Sequence, residues 1–176
     1  HLLSSAASDV YKRQAFEYIK KIEEYGIGGR PFSNIALYLT GSYNADDGVA
    51  RMLLEEHIEY EVLSINASQE RINYFELIII PSSNTLSEGE INKLKDFQNK
   101  GGTLVVIGKG ALNNKKDKFI FDVGAKYIGP SDYDMDYVQV RKELSNNLVS
   151  SPFITYLPGI KSEVFEDSNI LADIKV

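Results

Sequence analysis

Apolar positions along the chain follow two rhythms. Short continuous runs at 35–40, 60–65, 75–80 and 103–107 predict buried β-strands, since each is strand-length and bounded by turn residues. Helical spacing appears at 15–25, where Phe16, Ile19 and Ile22 share a face before Gly26, Gly28 and Gly29 stop the pattern. A second helix is predicted over 46–57, with Asp46 and Asp47 at its positive end. A third opens at the capping box Ser87-x-x-Glu90, carries Ile91, Leu94 and Phe97, and is stopped by Gly101 and Gly102. The order strand, helix, strand, strand, helix, strand, with continuous apolar strands, predicts an α/β three-layer sandwich with a mainly parallel sheet of flavodoxin-like kind. After Gly110 the pattern changes. Segment 119–123 reads as a short helix or turn, and 126–128, 137–141, 153–157, 162–165 and 170–174 read as strands of a C-terminal β-rich extension packed on the same sheet.

Length and composition narrow the function classes. The 176 residues suffice for one ordinary domain with a sizeable core. The longest apolar runs, 77–80 and 104–107, are far below the roughly 20 residues of a membrane helix, so no membrane partner is expected. A net charge of −6 with scattered lysines gives no electrostatic footprint for nucleic acid. With no cysteine there is no disulfide framework, thiolate metal site or thiol nucleophile. The compartment stays open, with the cytoplasm as the default.

Three regions carry candidate chemistry. The loop 40–47 follows the first strand, at the carboxyl edge where open α/β sheets bind ligands, and offers Ser42 and Asn44. The loop 81–85 after the third strand lies on the same edge and offers Ser82 and Asn84. Neither has a phosphate-binding glycine pattern, Asp46 and Asp47 would repel a phosphate, and turn and cap roles are the simpler reading. Asp132, Asp134 and Asp136 alternate, which on an extended strand sets their carboxylates roughly 6 to 7 Å apart on one face. That spacing suits paired glycosidase carboxylates, but such pairs straddle a sugar rather than stand side by side, so a solvated acidic loop is the default. A calcium loop is incomplete there. His57 is a helix-end histidine with no second histidine beyond His1 to share a metal. No metal or cofactor is expected.

The ordered series 35–39, 60–63, 74–81, Leu86-Ser87 and 97–105 resembles the glutamine-amidotransferase-like module of glycoside hydrolases known as the β-galactosidase trimerisation domain. Segments 123–129, 137–138, 152–156 and 170–172 resemble its continuation in relatives of β-galactosidases and fucosidases. The rhythm also occurs in active amidotransferases and in trehalose-utilisation-type domains. The resemblance implies a class I glutamine amidotransferase-like fold. The amidotransferase motif Gly-x-Cys-x-Gly would fall on 106–110, which puts Gly108 where the nucleophile stands, and no matching histidine follows. Residues 1–14 resemble translated sequencing-adapter read-through of the kind met in metagenomic reading frames, with a polar N-terminal helix as the plain alternative. The expected organisation is a non-native leader over 1–14, a linker helix over 15–31 from an upstream barrel, and the amidotransferase-like domain over 32–176, with both ends looking cut from a longer protein.

Three functional expectations result. The first is a non-catalytic accessory and oligomerisation domain of a β-galactosidase- or fucosidase-related glycoside hydrolase. It would form a homo-oligomer, follow a catalytic barrel in the same polypeptide and touch carbohydrate through exposed tyrosines. The second is a stand-alone module binding a sugar or nucleotide at Ser42, Asn44, Ser82 and Asn84. The third, weakest, is an enzyme using Asp132, Asp134 or Asp136.

Overall fold

The computed structural model of the chain describes residues 2–29, 32–81, 86–146, 151–156 and 158–175. Two compact units are present, His1–Phe32 and Ser33–Val176. The first is built on one helix, α1 (Leu2–Gly26), which begins well before the expected 15–25. Ser, Ala, Lys and Gln between the apolar positions all tolerate helix, so nothing local stops it from extending N-terminally. Phe16, Ile19 and Ile22 lie on it as exposed side chains.

The second unit opens with alternating strands and helices: β1 (Ile35–Tyr38), α2 (Tyr43–Glu55), β2 (Glu61–Leu63), α3 (Gln69–Ile72), β3 (Leu77–Ile80), α4 (Glu88–Asn99) and β4 (Thr103–Val106). The strands form one parallel sheet in the order β2-β1-β3-β4, with Leu37 opposite Val62 on one side and Ile79 on the other, and Ile78 opposite Leu104. The inner strands β1 and β3 are buried on both faces. Ala36, Tyr38, Ile78 and Ile80 belong to one apolar cluster with Leu94 and Phe97 of α4, while Leu37 and Ile79 belong to a second with Val49 and Leu53 of α2. Side chains alternate across a strand, so only a run apolar at every position can feed two cores at once.

Helix boundaries follow local chemistry. Ser87 Oγ accepts from the Glu90 backbone N–H at 3.3 Å while Glu90 Oε2 accepts from the Ser87 N–H at 2.8 Å, which completes the capping box. The short α3 is capped by Ser68, whose hydroxyl accepts from the Arg71 N–H. Arg71 forms an ion pair with the buried Glu61 of the edge strand β2 and lies over the Phe75 ring at 4.8 Å, which gives the strand's inward carboxylate a counter-charge.

Beyond β4 the architecture departs from expectation. A 3-10 turn (Gly108–Ala111) leads to a bridge between Leu112 and Phe119, where a helix or turn was predicted at 119–123. The strands that follow are β5 (Ala125–Pro130), β6 (Asp136–Val140), β7 (Phe153–Thr155), β8 (Ile160–Val164) and β9 (Ala172–Lys175), with the short helix α5 (Lys142–Ser145) between β6 and β7. They are antiparallel, as expected, but do not extend the parallel sheet: β5 pairs with β8, and β7-β6-β9 form a third sheet.

Two glycines give opposite stability predictions. Gly102 lies against the Phe97 ring, and an added Cβ would fall 2.3 Å from Phe97 Cζ; Gly48, inside α2, has nothing within 4 Å. Gly102→Ala is expected to lower unfolding free energy by about 1–3 kcal/mol, and Gly48→Ala to raise it by roughly 0.5–1 kcal/mol. Urea unfolding midpoints of the two variants check both signs.

Candidate functional site

All four strands of the first sheet run the same way, so the segments after β1, β3 and β4 meet along one edge. After β4, Ile107 continues the ladder by donating its N–H to the Ile80 carbonyl at 3.0 Å, and the chain then turns at Gly108, whose φ is 52°. Glycine takes a positive φ without steric cost, so the chain turns here freely. Gly110, two residues on, packs so closely on the end of β3 that an added Cβ would come within 2.4 Å of the Pro81 carbonyl oxygen. The turn is tightly seated, and Gly108, where the resemblance puts a nucleophile, gives it no side chain.

The chain's histidines are His1 and His57. His57 follows the C-terminal end of α2, a helix that starts at the site's edge of the sheet and runs for 13 residues, about 20 Å, toward the other edge. Its φ of 55° closes the helix in the left-handed region. Among the described residues, no group of three or more His, Cys, Asp or Glu could hold a metal ion.

The loop after β1 is occupied by its own chain. Asp46, in the first turn of α2, accepts from the Thr40 hydroxyl at 2.7 Å, the Thr40 N–H at 3.2 Å and the Gly41 N–H at 3.1 Å. These donors belong to the loop that precedes the helix, so the Asp46 carboxylate ties that loop back onto the first turn of α2. Ser42 is the N-cap residue of α2 and its side chain makes no capping hydrogen bond; Asn44 is exposed on the first turn. Ser82 and Asn84 lie outside the described residues.

A polar pair that no sequence motif announces stands beside this edge. Tyr38, the last residue of β1, is 1 % exposed and donates its hydroxyl to Glu90 Oε1 at 2.7 Å. Burial, then the Glu90 hydrogen bond and charge, push the Tyr38 phenol well above its ordinary value. Burial alone would raise Glu90, but hydrogen bonds from Ser87 and Tyr38 and the Lys93 charge outweigh it and hold the carboxyl below its ordinary value. Glu90 thus serves the helix cap and the buried phenol with one carboxylate. Only the cap was visible in the Ser-x-x-Glu spacing.

The acidic series near 131–137 is not a row on one strand face. β6 begins only at Asp136, so Asp132 and Asp134 lie in the bend before it. Asp132 is exposed and pairs with Lys161 at 2.9 Å. Asp136 is fully buried and accepts from Ser131 Oγ at 2.8 Å and the Gly159 N–H at 2.7 Å. It ties the β5–β6 and β7–β8 connections together, a structural use of the carboxylate. Alternate spacing put these residues on a common face only on the assumption of a strand that starts four residues later than expected of that row.

Comparison with known proteins bears on this geometry. Residues 36–119 match the family described as GLMA-like, second domain. No curated protein sequence matches the chain significantly. Among solved structures, the chain is similar to an α-L-fucosidase isoenzyme 2 from Paenibacillus thiaminolyticus, at 20% identity and a TM-score of 0.80 over 91% of this chain and 26% of that one. It is similar to Gan42B, a GH42 β-galactosidase, at 17% identity and a TM-score of 0.60 over 83% of this chain and 24% of that one. A ThuA-like protein from Bacteroides uniformis aligns at 12% identity and a TM-score of 0.55, over 80% of this chain and 66% of that one. The chain spans about a quarter of the length of the fucosidase and galactosidase chains. The matched family and the shared fold agree with the resemblance to a trimerisation-type domain of glycoside hydrolases.

The Tyr38–Glu90 pair predicts two limbs of pH-dependent stability. Glu90, lowered in the fold, contributes fully above its ordinary value near 4.5, and that contribution is lost as pH falls through the folded value. Tyr38, raised in the fold, contributes fully below about pH 10 and loses its part as pH rises beyond that. Glu90→Gln is expected to flatten the acid limb and Tyr38→Phe the alkaline limb, read from denaturation midpoints across pH.

Proposed function

We propose that this chain is a non-catalytic accessory domain of a glycoside hydrolase related to the β-galactosidases and fucosidases, built on a flavodoxin-like, class I amidotransferase-like sheet. The observation that carries the reading is Gly108: a turn with positive φ seated closely on Pro81, with glycine where the resemblance puts a nucleophile. Losing a nucleophile alone can lower turnover by about 10⁶. An amidotransferase whose chemistry is gone and whose scaffold persists has kept the scaffold for another use. The sheet order β2-β1-β3-β4 supports the finer fold assignment, since it is the first part of the flavodoxin-like order. The identities of these neighbours, a fucosidase and a β-galactosidase, with this chain matching about a quarter of each, support a carbohydrate-active parent. In that parent, α1 would be the connection from an upstream catalytic barrel.

The use we assign to the scaffold is subunit contact. Phe153, Ile154 and Tyr156, on and just after β7, are exposed to 48, 42 and 77%, a run of large apolar side chains on an edge strand. Exposed apolar clusters of this kind mark interaction surfaces. The alternative, a stand-alone module that binds a sugar or nucleotide at the β1 loop, is weakened by Asp46, which already accepts from the Thr40 hydroxyl and the Gly41 N–H of that loop.

The expected outcome for the isolated chain is no hydrolysis of aryl galactosides or aryl fucosides, together with concentration-dependent association in sedimentation velocity that Ile154→Lys shifts toward monomer. Hydrolysis by the purified chain would remove the non-catalytic reading, and a strictly monomeric parent enzyme would remove the oligomer role.

A further inference from the structure

Residues of both antiparallel sheets line a space that the chain does not fill. On β8, Ile160, Ser162 and Val164 alternate onto one face; on β9, Ala172 and Ile174 do the same, beside Asp136 of β6. All of these line one cleft of about 570 Å³. Packed sheets in a sandwich normally bury their facing side chains. Here Ile174 stays 50% exposed and Val164 39%, so this cleft is open to solvent. Its volume falls in the range of small-molecule sites, roughly 300–1,000 Å³.

The chemistry of the lining restricts the occupant. Its apolar lining is Ile160, Val164, Ile170 and Ile174. Its polar lining comprises the hydroxyls of Ser131 and Ser162 and the Lys161–Asp132 pair, in which Lys161 Nζ donates to both carboxylate oxygens at 3.0 and 2.9 Å. Tyr133, 54% exposed, stands at the rim. Each carboxylate in the lining already has a partner: Asp132 has Lys161, Asp173 has Arg141 at 3.1 Å, and Asp136 has Ser131 and Gly159. Lys161 and Arg141 compensate Asp132 and Asp173, and Asp136, held by two neutral donors, is fully buried, so a cation finds no exposed unpaired carboxylate, while an anion would meet three carboxylates against one lining lysine. A neutral ligand that carries both hydroxyls and an apolar C–H face matches the polar and the apolar lining.

We propose that the cleft between the β5–β8 and β7–β6–β9 sheets is a binding site for a neutral sugar ring. Tyr133 stacks on the ring's C–H face, as an amphipathic aromatic at a wet rim does. The Lys161–Asp132 pair supplies a fixed donor and acceptor for adjacent hydroxyls, because the lysine keeps a proton and the carboxylate keeps lone pairs beyond those in the pair. The Asp136 clamp holds the two loops that carry these groups at a set separation. The site is complete within this chain and does not depend on the accessory-domain reading.

The test is a ¹H–¹⁵N correlation titration of the full chain with methyl β-D-galactopyranoside and with methyl α-L-fucopyranoside, and with methyl galacturonide as a charged control. Saturable shifts confined to the amides of 131–133, 160–164 and 170–174 are expected with at least one neutral glycoside. The galacturonide should bind at least about tenfold more weakly, as should the neutral sugar to Tyr133→Ala and to Lys161→Met. The variants' own spectra report that they are folded. No saturable shift with either neutral glycoside up to about 100 mM, shifts centred on 40–46 instead, or binding unchanged in Tyr133→Ala and Lys161→Met would each overturn the proposal.

Discussion

The structure of the second unit depends on the burial of β1 and β3 from both sides. Each places successive side chains in opposite cores: Ala36 and Tyr38 with Ile78 and Ile80 under α4, Leu37 with Ile79 under α2. A strand with that requirement cannot lie at an edge, which forces β2 and β4 outward and gives the order β2-β1-β3-β4. Because the strands are parallel, their exits fall on one side, and everything with a claim to function in this sheet is collected there. Covering both faces also fixes where polar groups can survive. Tyr38 ends β1 inside the α4 core, and its phenol is tolerable there only because Glu90, drawn in by the capping box, accepts its proton.

Elements were legible in the sequence to the extent that one chemical signal specified them. The inner strands of the parallel sheet could be read because each is apolar at every position, and α4 because Ser87, Glu90 and the 91-94-97 spacing all point the same way. The four-residue α3 is too short for a periodic signal, although Ser68 caps it, and it went unread. The antiparallel strands were read from alternation, which gives their existence and not their neighbours. Which sheet they join is a property of the whole fold.

The candidate site shows the same division. The position of Gly108 could be read from the sequence because an apolar strand followed by glycines dictates a turn, and its positive φ of 52° realises it. The fate of the β1 loop could not. Asp46 looked like a charge that favours a helix N-terminus, and it does more, since it bends back to take the N–H groups of Thr40 and Gly41. Sequence spacing of six and five residues between these partners follows no general rule; only the turn at Gly41 brings them together. Asp136 was misread for a related reason. Its carboxylate was grouped with Asp132 and Asp134 by spacing, while the contacts that define it, Ser131 and Gly159, involve a residue 23 positions away.

The two halves of the second unit therefore handle polar groups in opposite ways. In the parallel sheet, burial comes first, and polar atoms such as Tyr38 Oη and the Glu61 carboxylate are admitted singly, each with its partner inside the same layer. In the antiparallel sheets one buried carboxylate, Asp136, holds two loops together, while large apolar residues such as Ile174 and Val164 remain in reach of solvent. A layer of that kind gains little from its own apolar contacts and relies on hydrogen bonds to set its shape. It leaves a mixed surface whose geometry is fixed and whose apolar area is still available. That combination is what recognition requires, because a ligand that covers the exposed side chains need not spend its binding free energy on ordering the groups it meets. At the exits of the parallel sheet Gly108 offers no side chain and Asp46 takes the loop N–H groups of Thr40 and Gly41, whereas the antiparallel layers keep large apolar side chains such as Ile174 and Val164 exposed.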